Sequence, residues 1–156
     1  KFMVENREIE VAYIYGAPGT GKTRSIFEAH GAENICRVTN YRMGKGVSFD
    51  AYHGQNVLVF EEFNSQIPIE EMLNYLDVYP IMLPARYSDR VACFTKVYLT
   101  SNVPLEDQYE DIQIVHPATW KAFLRRIHRV VYFDGEQVQE MSMDEWKEER
   151  NNHVDL

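Results

Sequence analysis

Long apolar runs are missing from this 156-residue chain, and without one no segment is long enough to cross a membrane as a helix. It also opens without a basic, apolar and small-residue leader, which predicts a soluble protein that is not secreted and has no membrane partner. Cysteine is scarce: Cys36 and Cys93 stand far apart, with no C-x-x-C and no Cys/His cluster. That excludes a disulfide scaffold or a zinc ribbon and predicts reduced thiols in a cytosol-like compartment. Internal repeats and low-complexity tracts are absent, so the chain reads as one compact unit rather than a solenoid or linker.

Positive charge is in short supply as well. The formal net charge is −8, which taken whole disfavours a polyanionic partner. The imbalance is local, however. From Asp134 to the end, eight acidic side chains face only Lys147 and Arg150, while the first 133 residues are nearly balanced and can carry basic surfaces.

What is present is concentrated between Val11 and Thr23. A β-rich run, Val11-Ala12-Tyr13-Ile14-Tyr15, stops at Gly16 and continues as Ala17-Pro18-Gly19-Thr20-Gly21-Lys22-Thr23 into a predicted helix over Thr23–Ala29. This is G-x-x-x-x-G-K-[ST] in a strand-to-helix setting. Bare glycine backbone lets amide N–H groups converge on a phosphate at the positive end of a helix. Lys22 supplies a point charge to the β- and γ-phosphates, and the Thr23 hydroxyl suits a bridging Mg2+. The cofactors implied are ATP and Mg2+.

Val57-Leu58-Val59-Phe60 reads as a buried strand, extended to Phe63 and carrying Glu61 and Glu62 at its C-terminal end, where α/β sheets bind ligands. One acid there can hold magnesium, and the other can orient or deprotonate water. Lys96–Asn102 is a further strand ending in Thr-Ser-Asn, and Asn102 can bond a γ-phosphate or the attacking water.

The remaining pattern is plainer. Ile35–Thr39 reads as a short strand, and Asn40–Asn56 as a loop connection. Ile69–Val78 has apolar residues at helical spacing, Asp107–Asp111 reads as an acidic loop, and Thr119–Arg129 as a basic helix or helix-to-strand passage holding Arg125, Arg126 and Arg129. Arg86, Tyr87 and Arg90 surround a Ser-Asp turn and fit either a solvated hairpin or a contact to nucleic acid. Residues 1–8 read as a linker remnant, 9–133 as a P-loop core, and 134–156 as an acidic tail with a short helix over Ser142–Arg150 that frays from Asn151.

With these motifs in order, the stretch from Val11 to Phe133 resembles the superfamily 3 helicase domain of replication initiator proteins of circoviruses, related small circular single-stranded DNA elements and bacterial plasmids. The likeness rests on Gly16–Thr23, on Tyr52-His53-Gly54-Gln55 before Val57–Phe63, on Tyr98–Asn102, and on Ala122-Phe123-Leu124-Arg125-Arg126-Ile127 before Val130–Phe133. It implies an α/β P-loop NTPase of the AAA+ type, with a mostly parallel sheet flanked by helices. It further implies a homo-hexameric ring that hydrolyses ATP between subunits, moves on single-stranded DNA and unwinds duplex during rolling-circle replication. Lys22 and Thr23 would hold phosphate and magnesium, Glu61 and Glu62 would serve metal and water, and Asn102 would be the polar sensor. Arg126, with Arg125 in reserve, would reach the neighbour's γ-phosphate, and Arg86, Tyr87 and Arg90 fall in the DNA-gripping hairpin.

Three departures accompany the likeness. Glu61 replaces the usual aspartate, the hairpin lacks a lysine beside glycines, and no pair of histidines marks a nicking domain. The chain then corresponds to the motor part alone, without the helical collar on which such rings rely. Location would be the host nucleus for a eukaryotic virus or the host cytoplasm for a bacterial element. An RNA helicase of the same superfamily and a P-loop switch or small-molecule kinase are the alternative readings.

Overall fold

A computed structural model describes residues 8–39, 41–42, 46–47, 49, 51–77, 82–83, 90–91 and 93–154. Its centre is a six-stranded sheet built from β1 (Glu10–Gly16), β2 (Ile35–Val38), β5 (Val57–Phe60), β8 (Lys96–Ser101), β9 (Arg129–Phe133) and β10 (Val138–Ser142). The spatial order is β10-β9-β1-β8-β5-β2, parallel throughout except for the antiparallel β10 at one edge. Parallel strands need both faces covered, and β5 is accordingly buried at all four positions. The expected α/β P-loop architecture, a mostly parallel sheet flanked by helices, is what the chain adopts.

Helix α1 (Lys22–His30) covers one face, where Ile26 and Phe27 pack with Ala12, Ile14, Val59 and Val131. The other face carries α2 (Ile69–Tyr75), α4 (Pro117–Arg126) and α5 (Met143–Val154), whose Met72, Phe123 and Trp146 join Tyr13, Leu58, Phe60 and Leu99 in the larger core. Alternation along β1 divides these sets: Val11 and Tyr13 face one layer, Ala12 and Ile14 the other.

Several boundaries differ from the sequence reading. The strand expected to run to Phe63 stops at Phe60, because Glu62 adopts a left-handed backbone (φ 51°) that turns the chain out of the sheet. Two short strands, β3 (Tyr41–Arg42) and β4 (Gly46–Val47), pair within the stretch read as a loop. The acidic segment around Asp107 holds a 3-10 turn, Leu105–Asp107, followed by α3 (Glu110–Val115). The division at residue 133 is not a break in the fold: β10 pairs with β9 from Val138↔Phe133 to Ser142↔Arg129, and Met143 and Trp146 are buried. Helix α5 runs on to Val154, past the point where fraying was expected. A two-stranded ribbon of β6 (Met82–Leu83) and β7 (Arg90–Val91) is also present. Arg86 and Tyr87 lie outside the described residues, and of Arg90 only the strand backbone is described.

Candidate nucleotide site

Parallel pairing brings the C-terminal ends of β1, β5 and β8 to one edge, with Val59↔Tyr98 and Tyr13↔Leu99 in register. The phosphate loop follows β1 directly. Gly21, at the N-cap of α1, takes a left-handed conformation (φ 93°) that a side chain would strain, and no side chain caps the first amides of the helix. At Gly16 the constraint is steric: an added Cβ would sit 2.3 Å from the Phe133 carbonyl oxygen of the neighbouring strand.

A cleft of about 420 Å³ opens there, lined among others by Gly19, Gly21, Lys22, Thr23, Arg37, Glu61, Glu62 and Asn102. Gly16, Ala17, Pro18 and Thr20 complete the loop, in which Thr20 Oγ1 donates to the Ala17 carbonyl at 2.8 Å. Lys22 Nζ folds back on the loop, donating to the Gly16 carbonyl, to the Ala17 carbonyl at 3.2 Å and to Asn102 Oδ1 at 2.9 Å. Partial burial holds its ammonium below the usual lysine range, while the charge of nearby Glu62 acts in the opposite direction.

The two acids occupy different settings. Glu61 is recessed, 7% exposed, and its carboxylate is held by Arg37. Its carbonyl accepts from the Tyr41 hydroxyl at 2.5 Å. Glu62 is exposed at the cleft, on the turn that its own positive φ creates. Such a conformation at a non-glycine residue costs on the order of 1–3 kcal/mol and persists where the surroundings over-determine it. Here the Phe63 amide bonds the Thr100 carbonyl at 2.7 Å, and Gln66 Nε2 donates to the Glu62 carbonyl at 2.6 Å.

The donors fit a small hard dication. The Thr23 hydroxyl and the Glu61 carboxylate line the same cleft, and both are oxygen ligands. Among the described residues no group of three His, Cys, Asp or Glu could hold a metal unaided, so a magnesium here would draw its remaining ligands from phosphate and water.

Arg125 and Arg126 are not part of this cleft. They close α4, three to four residues before Arg129, which pairs with Ala12 near the start of β1, whereas Gly16 pairs with Phe133. Both arginines therefore stand toward the edge where the strands begin, opposite the phosphate loop. Arg126 donates to the Ala122 carbonyl at 3.0 Å and to Asp77 Oδ2 at 3.3 Å, and Arg125 is exposed.

Three contributors escaped the sequence reading. Arg37 is a single arginine on an edge strand, and only the β2–β5 register places it at Glu61. Tyr41 sat in a stretch without period. Gln108, fully buried, lies within hydrogen-bond reach of the Tyr13 hydroxyl (2.8 Å), the Phe63 carbonyl (3.0 Å) and Ser101 Oγ (3.1 Å), and it accepts from Ser65 Oγ at 2.6 Å. It ties the strand before the phosphate loop to the turn after Glu62 and to the strand before Asn102.

The family described as RNA helicase matches residues 12–103. The replication-associated protein of beak and feather disease virus is 30% identical over 135 residues, covering 86% of this chain and 43% of that protein. That of canary circovirus is 32% identical over 126 residues, covering 81% and 40%. That of porcine circovirus 2 is 26% identical over 133 residues, covering 85% and 40%. The chain thus spans about two fifths of the length of these curated relatives.

Proposed function

This chain belongs to the RNA helicase family, with the superfamily 3 helicase domain found in replication-associated proteins, and we propose that it is the ATP-hydrolysing DNA helicase motor of a rolling-circle replication initiator. The observation that carries the proposal is the meeting of Lys22, Glu61, Glu62 and Asn102 in one cleft at the ends of three adjacent parallel strands.

Amides of the Gly16–Thr23 loop and the ammonium of Lys22 bind the phosphates. Lys22 exchanges loop carbonyls for phosphate oxygens, a trade of neutral for charge-assisted hydrogen bonds. Thr23 and Glu61 are the residues that would hold Mg2+, which would supply positive charge against that developing on the phosphates. Exposed Glu62 orients the attacking water and accepts its proton. Asn102, already bonded to Lys22, reaches the γ-phosphate or that water.

The resemblance also calls for an arginine acting between subunits, and Arg125 and Arg126 stand too far from their own phosphate loop to serve it within one chain. A head-to-tail ring supplies the arginine from the next subunit. Arg126 is the first candidate finger; serving that role requires release from Asp77. Single-stranded DNA is the polymer on which the hexamer moves, gripped through the segment containing Arg86, Tyr87 and Arg90.

The test is a subunit mixture. Lys22→Ala and Arg126→Ala chains are each inactive alone, and mixing them restores ATP hydrolysis because each lacks a different half of a shared site. An Arg126→Ala chain that hydrolyses ATP at the wild-type rate contradicts the proposal. The family description favours RNA as the rival substrate, so unwinding is measured on DNA and RNA duplexes with 3′ overhangs; preference for RNA selects that reading.

A further inference from the structure

Three cations line the phosphate cleft among the described residues: Lys22, which serves the phosphates, Arg24, which pairs with Glu28 at 3.1 Å on its own helix, and Arg37. It lies on β2, with Val38 pairing Phe60 and the Glu61 amide bonding the Val38 carbonyl at 3.0 Å, so its side chain meets Glu61 across the strand pair. Its Nε donates to Glu61 Oε2 at 2.8 Å, and Nη2 binds the same oxygen. The guanidinium carbon stands 5.5 Å from the centroid of the Phe27 ring. Exposure is uneven across the pair: 50% for the Arg37 side chain and 8% for that of Glu61.

These facts set up a competition. A recessed carboxylate is costly to leave uncompensated, so Glu61 needs a positive partner at all times. Both guanidinium donors take Oε2, and a dication on the other carboxylate oxygen would stand only a few ångströms from the guanidinium and be repelled by it. The metal and Arg37 are alternative partners of Glu61. Arg37 is the half that can move, being half-exposed and lying beside the Phe27 ring. A guanidinium released inside a phosphate cleft has an evident acceptor in phosphate oxygen, which its planar fork matches better than a lysine would.

We infer that Arg37 is a charge-exchange residue: it neutralises Glu61 when the cleft holds no metal, and it transfers to the γ-phosphate when a metal–triphosphate enters. The inference rests on the ATPase reading. No covalent bond changes in the exchange; one ion pair is replaced by a carboxylate–metal contact and a guanidinium–phosphate pair. Loading of the cleft is thereby coupled to the third phosphate, because a diphosphate gives Arg37 no γ-oxygen to receive it.

The test uses Mn2+ as a paramagnetic probe on the whole chain, with ADP or a non-hydrolysable ATP analogue, for wild type, Arg37→Gln and Arg37→Lys. With ADP present, Arg37→Gln takes up Mn2+ at a several-fold lower concentration than wild type, since the competitor is gone. The preference of wild type for triphosphate over diphosphate falls by about tenfold in Arg37→Gln, the size of one charge-assisted pair, and recovers partly in Arg37→Lys. Should Arg37→Gln fail to fold, Glu61→Gln carries the test: it frees Arg37 and keeps the triphosphate preference, whereas the double variant loses it. A higher Mn2+ requirement in Arg37→Gln overturns the inference in favour of a mere prop for Glu61, and so does an unchanged triphosphate preference. If wild type binds neither nucleotide, the ATPase reading falls and takes the inference with it; if it binds both and Arg37→Gln is indistinguishable from it, only the role of Arg37 falls.

Discussion

Lys22 Nζ donates to Asn102 Oδ1 across 2.9 Å although 80 positions separate the two residues. The contact joins the phosphate loop after β1 to the end of β8, the neighbouring strand in the sheet. It also assigns different kinds of work to the pair. Lys22→Ala removes the principal cation for the phosphates and abolishes measurable nucleotide binding. Asn102→Ala leaves binding within a few-fold and lowers kcat by about 10²-fold, the usual cost of one oriented polar group at a reacting centre. Binding measured by fluorescent nucleotide, beside steady-state ATPase, checks both.

The contrast between the two acids gives a second expectation. Glu62→Gln is expected to retain nucleotide and metal binding and lose hydrolysis, because exposed Glu62 is the group proposed to handle water. Glu61→Gln weakens Mn2+ binding directly. Equal loss of metal binding in both variants contradicts this division.

Helix α5 is structural in spite of its acidity. Trp146 is 5% exposed and packs in the larger core, so Trp146→Ala lowers stability by about 3–5 kcal/mol. Glu148→Ala, two positions on and exposed, stays within about 0.5 kcal/mol. Urea denaturation followed by far-UV circular dichroism measures both.

Thiol chemistry separates the two cysteines. Neither is held in a disulfide, and burial pushes the Cys36 thiol up to about 11. At pH 8 its thiolate fraction is about a thousandth, so native alkylation falls on half-buried Cys93 and reaches Cys36 only as pH rises toward 11 or the chain unfolds. Mass spectrometry after timed maleimide labelling at pH 7, 8 and 9 reads this; prompt labelling of Cys36 at pH 7 contradicts it.

The phosphate loop was legible because its chemistry is local: Gly16 to Thr23 supply loop, charge and hydroxyl within eight consecutive residues. Glu61, Glu62 and Asn102 were legible at one remove, since buried strands of a parallel sheet present their ends at one edge. Arg37 was not, because its meaning lies in the pairing of β2 with β5 and not in its neighbours in sequence. Gln108 sits in an acidic run, Glu106 to Asp111, that reads as solvated, and only the tertiary fold surrounds it with Tyr13, Phe63 and Ser101. Strand β10 is exposed along most of its length and has no apolar alternation to announce it; its place is fixed by antiparallel pairing with β9. Composition made the C-terminal segment read as a tail, whereas Met143 and Trp146 anchor it to the core.

The measurement that bears most directly on the shared-site account is the ATPase rate per subunit as a function of protein concentration, with and without single-stranded DNA, using Lys22→Ala as the blank. The account predicts a rate that is weak when dilute, rises as chains associate and increases further with DNA, because the arginine that completes each cleft belongs to another chain. A rate per subunit that is constant across the whole range of association contradicts it.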